Sequence, residues 1–162
     1  MKLIETRTAP NPRRVRIFLA EKGISVPCEE VDLMSGVLAS PPYAVLNPMR
    51  RVPMLVLDDG TVIAETVAIC RYFEEMQPMP PLFGTGAVER ATVEMWNRRS
   101  EFGLLAAVAH AFRHLNPRMS HLEVPQIPAW GEANKPKALE MLALLDARLS
   151  EARYLAGDNF SI

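Results

Sequence analysis

The sequence predicts two modules in series, a small α+β unit over roughly the first 80 residues and an all-helical unit after it. Three observations carry that expectation. Short strand-like apolar runs interleave with helical stripes before residue 76. The segment MQPMPPLFGTG, from Met76 to Gly86, holds three prolines and two glycines and reads as a linker. Beyond it, apolar residues recur only at helical intervals.

The elements follow in order. Lys2 to Glu5 is a short first strand, and Thr6 to Pro12 is a turn-rich loop ending at a helix start. Asn11 suits the N-cap, Pro12 suits the first helical position, and Val15, Phe18 and Leu19 form an i, i+3, i+4 stripe that Gly23 closes. Pro27 to Leu33 alternates as a second strand, whose return after a helix predicts a right-handed parallel crossover. Met34 to Arg51 reads as loop or short helix and Val52 to Leu57 as a buried strand. Asp58, Asp59 and Gly60 form a tight hairpin turn into an antiparallel strand, Thr61 to Ala64. Glu65 and Thr66 then open an amphipathic helix carrying Val67, Ile69, Cys70, Tyr72 and Phe73. In the second module one helix runs from Ala87 to Leu115, with Val93, Trp96, Leu104, Val108 and Phe112 at helical spacing. Asn116 to Pro128 breaks it. A second helix spans about Ala129 to Ala152, with Pro136 near its first turns and Leu139, Leu142, Leu145 and Leu149 on one face.

Composition narrows the function classes. The 162 residues are 49% hydrophobic, and 18 Lys+Arg face 19 Asp+Glu, so the large basic excess of a phosphate-neutralising surface is missing and nucleic acid is not an expected partner. Apolar runs fall far short of the ~18 residues a spanning helix needs, and MKLIETRTAP has no secretory apolar core, which predicts a cytoplasmic protein without a membrane partner. Cys28 and Cys70 are far apart and in no CxxC pair, and read as buried, reduced, small apolar residues. His110 and His114 have the i, i+4 spacing of metal ligands, but no carboxylate lies between them, and no metal is expected.

Three stretches carry a resemblance: TAPNPRRVRIFLAEKGI (Thr8 to Ile24), NPMRRVPMLVLDDGTVIAETVAICRYFEE (Asn47 to Glu75) and YLAGDNFSI (Tyr154 to Ile162). In this order and spacing the chain resembles the cytosolic glutathione S-transferases along essentially its whole length, and in particular bacterial members with an Asn/Thr thiol site. The resemblance implies an α/β plus all-α architecture. Residues 1–76 would form a thioredoxin-like glutathione-binding domain, 77–86 a linker, and 87–162 a helical domain that builds the second-substrate pocket. It also implies a homodimer acting in detoxification, with glutathione as co-substrate. The motif GDNFSI opens a capping box whose acid falls beyond Ile162, and in the family a buried helix follows, so the helical domain is expected to be incomplete.

Residue chemistry supports several positions. Val52-Pro53 is a candidate cis peptide at a strand start, where proline costs no central ladder bond. In the family this pair offers its backbone to the cysteinyl part of glutathione. Glu65-Thr66 sits at a helix N-terminus, where free N–H groups and the macrodipole favour an anion. By resemblance Thr66 would hold the γ-glutamyl carboxylate and Glu65 the ammonium. Arg51 would grip the glycyl carboxylate, and Leu38 stands where some relatives place a polar contact. Tyr, Ser and Cys, the family's usual thiol activators, are all absent from the loop TRTAPNP, which leaves Thr6, Thr8 and Asn11. Asn11 is the first assignment and Thr8 the second, with an N-cap role competing for the Asn11 side chain. Arg13, Arg14 and Arg16 lie in the first turns of their helix, either paired with acids or raising the potential near the thiolate. Trp96, Phe102, His110 and Phe112 are second-substrate pocket candidates, with helical core or dimer surface as the competing reading for each.

The leading expectation is a glutathione S-transferase that joins the thiolate to an electrophilic small molecule. A glutathione-dependent disulfide-bond oxidoreductase and a non-catalytic glutathione-binding interaction protein are the alternatives.

Overall fold

The computed structural model describes residues 1–162 and divides into two compact units, Met1–Leu82 and Phe83–Ile162. The first holds strands β1 (Lys2–Glu5), β2 (Cys28–Glu30), β3 (Met54–Val56) and β4 (Val62–Ala64) and helices α1 (Pro10–Glu21), α2 (Tyr43–Leu46) and α3 (Thr66–Met76). The sheet order is β2-β1-β3-β4, with β2 parallel to β1 and the β3 and β4 pairings antiparallel. This is a thioredoxin-like sheet with a βαβ half and a ββα half.

Alternation along the strands assigns the two faces. Ile4 and Met54 are cross-strand partners and pack with Val31, Leu38 and Val52 beneath the segment that carries α2. Leu3 and Leu55, also partners, point the opposite way and are fully buried, on the face where α1 and α3 lie. Val15, Phe18 and Leu19 from α1 and Ile69, Cys70 and Phe73 from α3 complete that core. Leu38 is therefore a core residue, packed in the same cluster as Val52.

α1 and α3 are tied together at both ends. At their C-terminal ends the Lys22 ammonium, with its side chain 0% exposed, pairs with Glu74 at 2.5 Å and donates to the carbonyls of Gln77 and Pro80 at 2.8 and 2.6 Å. All three of its protons have partners, which is what a buried ammonium requires. The Gln77 amide donates back to the Lys22 carbonyl at 2.6 Å. At the other end, Arg14 Nη1 donates to Thr66 Oγ1 at 2.9 Å.

Sequence expectations need correcting at four places. The N-cap of α1 is Ala9, and the helix begins at Pro10, one residue before the expected cap Asn11. Pro10 and Pro12 both suit a first turn, because their missing N–H groups would be unbonded there anyway, and pattern alone does not decide which comes first. Cys28 is exposed at the sheet edge, whereas Cys70 is buried as expected. The second and third strands are three residues each, shorter than the runs that suggested them.

The fourth correction is in the second unit, where the long helix is interrupted. α4 (Gly86–Arg99) passes through a π-helical segment, Ser100–Leu105, into α5 (Ala106–Leu115). Gly103 sits in that segment, and a Cβ there would lie 2.8 Å from the Met141 sulfur. α6 (Pro128–Glu151) packs closely on α5, since a Cβ on Gly131 would lie 2.6 Å from Leu115. The intervening turn is pinned by His114, whose Nδ1 accepts from Ile127 N–H at 3.1 Å, and by Gln126, which donates to the carbonyls of Arg113 and Asn116. No helix is long and apolar enough to cross a membrane.

Candidate functional site

The sheet register places one end of the first unit as the candidate site. Ile4, Met54 and Ala64 are in line across β1, β3 and β4. The chain leaves β1 into Thr6–Ala9, enters β3 from Val52-Pro53 and leaves β4 into Glu65-Thr66, so all three segments emerge at the same edge of the sheet. The Arg14–Thr66 hydrogen bond then brings the first turns of α1 and α3 together there.

The loop after β1 is held by groups behind it. The buried Glu5 carboxylate pairs with Arg16 at 2.5 Å, and Arg16 also donates to the Arg7 carbonyl at 2.7 Å. Thr6 donates its hydroxyl to Val31 O at 2.6 Å, which commits it to the sheet. Thr8 is exposed with no hydrogen bond, and so is the Asn11 side chain, which makes no capping bond. Of the first α1 residues, Pro10 and Pro12 have no N–H and Arg13 N–H is bonded to Ala9 O at 3.4 Å. The backbone N–H of Asn11 is the one left unbonded. Asn11 thus offers two donors, one from the peptide and one from the amide, at the positive end of a helix.

α3 begins differently. Glu65 is its N-cap residue at φ 68°, exposed, with no capping hydrogen bond from its side chain. That left-handed backbone turns the chain abruptly from β4 into the helix and costs on the order of 1–3 kcal/mol in a non-glycine residue. Ile69 N–H is the first to find a helical partner, Glu65 O at 2.9 Å, so the N–H groups of Thr66, Val67 and Ala68 are open. Three N–H groups, a hydroxyl and an adjacent carboxylate can receive a group that carries both an anion and an ammonium.

Between these helix ends lies Val52-Pro53, whose peptide bond is cis. Both residues are buried, yet the Val52 N–H and C=O make no hydrogen bond within the chain. An extended peptide could pair with them as an added strand does. The approach to this pair depends on Asn47, a residue sequence reasoning passed over. Asn47 is 4% exposed, its amide donates to Arg51 O at 3.0 Å, and its Oδ1 accepts from Met49 N–H at 3.0 Å. The signal that could have found it is an Asn just before a proline-containing turn, the setting of an Asx turn. Arg51 itself is exposed on the rim.

The four pocket candidates lie in the second unit in different surroundings. Trp96 is buried with the Arg99 and Arg148 guanidiniums 4.9 and 5.8 Å from its ring centroid, and it lines a cavity of about 550 Å³ with Gly103, Met141 and Leu144. His110 lies 5.7 Å from the Trp130 ring. Phe102, 67% exposed, packs under Arg98, and Phe112 is also exposed. Among the four, only Trp96 lines that cavity. No group of three or more His, Cys, Asp or Glu side chains is gathered as a metal would require.

Comparison with known proteins places the fold in a family. Residues 8–76 match the family model described as glutathione S-transferase, N-terminal domain. Glutathione S-transferase 2 of Saccharomyces cerevisiae is 38% identical over 165 residues, covering 100% of this chain and 71% of that protein. The crystal structure of a glutathione S-transferase domain-containing protein from Marinobacter aquaeolei VT8 superposes with a TM-score of 0.94 at 41% identity, over 99% of this chain and 80% of that one. That of Gtt2 from Saccharomyces cerevisiae gives 0.93 at 38% identity, over 99% and 79%. The chain belongs to the glutathione S-transferase family.

Proposed function

We infer that the protein is a glutathione S-transferase whose glutathione lies across the site end of the sheet, with each part of the tripeptide matched to one segment. The open N-terminus of α3 carries this reading, because three unbonded N–H groups and the Thr66 hydroxyl suit the γ-glutamyl carboxylate while Glu65 suits its ammonium. The Val52 peptide groups would pair with the cysteinyl backbone, and Arg51 on the rim would meet the glycyl carboxylate. That alignment brings the sulfur to the first turn of α1. There Asn11, through its peptide N–H and its amide, would stabilise the thiolate, with the free hydroxyl of Thr8 as the second donor. The thiolate then attacks the electrophilic carbon of a small molecule, the S–C bond forming as the leaving group departs or as the double bond accepts the electron pair.

In the helical unit, Trp96, Phe102, His110 and Phe112 are proposed to face the second substrate. A cytoplasmic homodimer acting in detoxification, without a metal, is the setting we propose. A disulfide-bond oxidoreductase is the second reading, favoured by one observation: the β1–α1 loop presents amide and hydroxyl donors and no Tyr, Ser or Cys.

The test is ultraviolet titration of bound glutathione, followed by turnover with an aromatic halide and with a mixed disulfide. A bound thiol titrating well below the free value of ~8.5, with conjugation of the halide, is the expected result. Binding without a pKa shift would remove the thiolate role of α1, and disulfide turnover far above conjugation would select the second reading.

A further inference from the structure

The Arg14–Thr66 hydrogen bond crosses from α1 to α3 at the one place where α3 is open to a ligand. A guanidinium has only donors, so in this contact the Thr66 oxygen must accept. The hydroxyl hydrogen is then directed away from Arg14, and Thr66 faces the α3 terminus as a donor. Without that constraint a threonine at a helix N-terminus can rotate its hydroxyl to bond backbone carbonyls, or present a lone pair that repels an anion.

We propose that Arg14 is a positioning residue for glutathione: by occupying the Thr66 oxygen it fixes the hydroxyl as a donor to the γ-glutamyl carboxylate and adds positive charge beside it. This rests on the reading that α3 receives that carboxylate. Two further observations support it. α1 and α3 are already clamped at their other ends by Lys22, Glu74 and Gln77, so the arginine is not needed to join the helices. A cation in the first turns of a helix opposes the dipole of α1, and that placement is offset if its charge serves an anion at the neighbouring helix. Of the three arginines in this stretch, Arg16 is engaged with Glu5 and Arg13 is exposed, which leaves Arg14 as the one aimed at the site.

Steady-state kinetics of Arg14→Met, Arg14→Lys, Thr66→Val and the double variant Arg14→Met/Thr66→Val test the proposal. Each is run with glutathione and with an analogue whose γ-glutamyl α-carboxylate is a primary amide. Arg14→Met is expected to raise KM for glutathione about ten-fold, the scale of one charge-assisted hydrogen bond, with kcat near wild type. Arg14→Lys recovers most of the loss. The penalty disappears with the amide analogue and shrinks in the Thr66→Val background to what the Arg14 charge alone contributes, because the two residues act in part as one unit. Equal losses with both thiols, or additive effects in the double variant, would overturn it, and the ratio between the two thiols within one variant is unaffected by partial misfolding. Wild-type protein that fails to distinguish glutathione from the amide overturns the carboxylate placement itself. Wild type that distinguishes them, with Arg14→Met unchanged, overturns only the role of Arg14.

Discussion

The N-termini of α1 and α3 lie at the same end of the same unit and offer different sets of donors. α1 starts with Pro10-Asn11-Pro12 and leaves a single unbonded N–H, whereas α3 starts with Thr66-Val67-Ala68 and leaves three, with a hydroxyl and the Glu65 carboxylate beside them. A helix dipole is common to both, so the dipole alone does not assign the ligand. The number and kind of donors does. One peptide N–H with one side-chain amide matches a single sulfur atom, and three N–H groups with a hydroxyl match the two oxygens of a carboxylate. Two prolines thus remove donors from α1, which on the proposed reading suits it to a thiolate, while α3 stays open to a group that needs several.

This contrast requires both helix ends to be held in register, and the largest effect is expected where that register is fixed. Lys22→Ala removes the cation from a site where the Glu74 side chain is mostly buried and takes the donor away from two carbonyls. Breaking one partner of a buried pair costs on the order of 3–5 kcal/mol. Urea denaturation of the variant should show a midpoint shift of that scale with loss of glutathione binding. A shift below about 1 kcal/mol, the range of a surface ion pair, would show that the helices are aligned by packing alone.

The next test separates the two helix ends directly. Asn11→Ala removes the amide but keeps the peptide N–H, and is expected to lower kcat by an order of magnitude or more and to raise the pKa of the bound thiol. Thr66→Val removes the hydroxyl but keeps three N–H groups, and is expected to raise KM for glutathione about ten-fold with kcat little changed. Opposite assignments, with KM moving in Asn11→Ala and kcat in Thr66→Val, would reverse the comparison. An unchanged rate in Asn11→Ala would leave the peptide N–H as the donor that matters.

How much of this was legible in the sequence follows from the range of the interactions. The order of strands and helices was, because apolar alternation and Gly/Pro punctuation are local signals, and so were Val52-Pro53 as a strand start and Glu65-Thr66 as a helix start, which the fold brings to one end of the sheet. The helix start at Pro10 was not, since two prolines two residues apart satisfy the same local rule. Lys22 escaped for a different reason, and Arg14, singled out with Arg13 and Arg16 as paired with acids or raising the potential near the thiolate, was read without its partner Thr66. Both act on residues that only the fold brings near, with 52 positions separating Arg14 from Thr66, and a charged side chain in a helix reads as solvated until its partner is known. Asn47, by contrast, bonds only within its own turn and carried a local signal that was passed over. The π-helical break at Ser100–Leu105 was hidden because no proline interrupts the apolar run from Ala87 to Leu115 and nothing else in the sequence marks a π turn.

The smallest expected effect concerns Cys70, on α3 one turn beyond Thr66, and it bears on whether the open helix end activates thiols as well. Arg14 pulls the Cys70 thiol toward ionisation, but burial opposes it more strongly and pushes its pKa up to about 12. Positive charge at the α3 terminus is therefore insufficient to hold a thiolate once water is excluded and no donor faces the sulfur. In the unfolded chain the same thiol ionises near 9.0, so the neutral form favours the fold, and the sign is fixed. Its contribution to stability is complete below pH 9 and is lost as pH rises toward 12. At pH 8 iodoacetamide should alkylate the exposed Cys28 in the native protein and reach Cys70 only after denaturation, as peptide mass mapping will show. Alkylation of Cys70 in the folded protein at a rate matching Cys28 would mean that the α3 end activates thiols too, and the division of roles between the two helices would have to be redrawn.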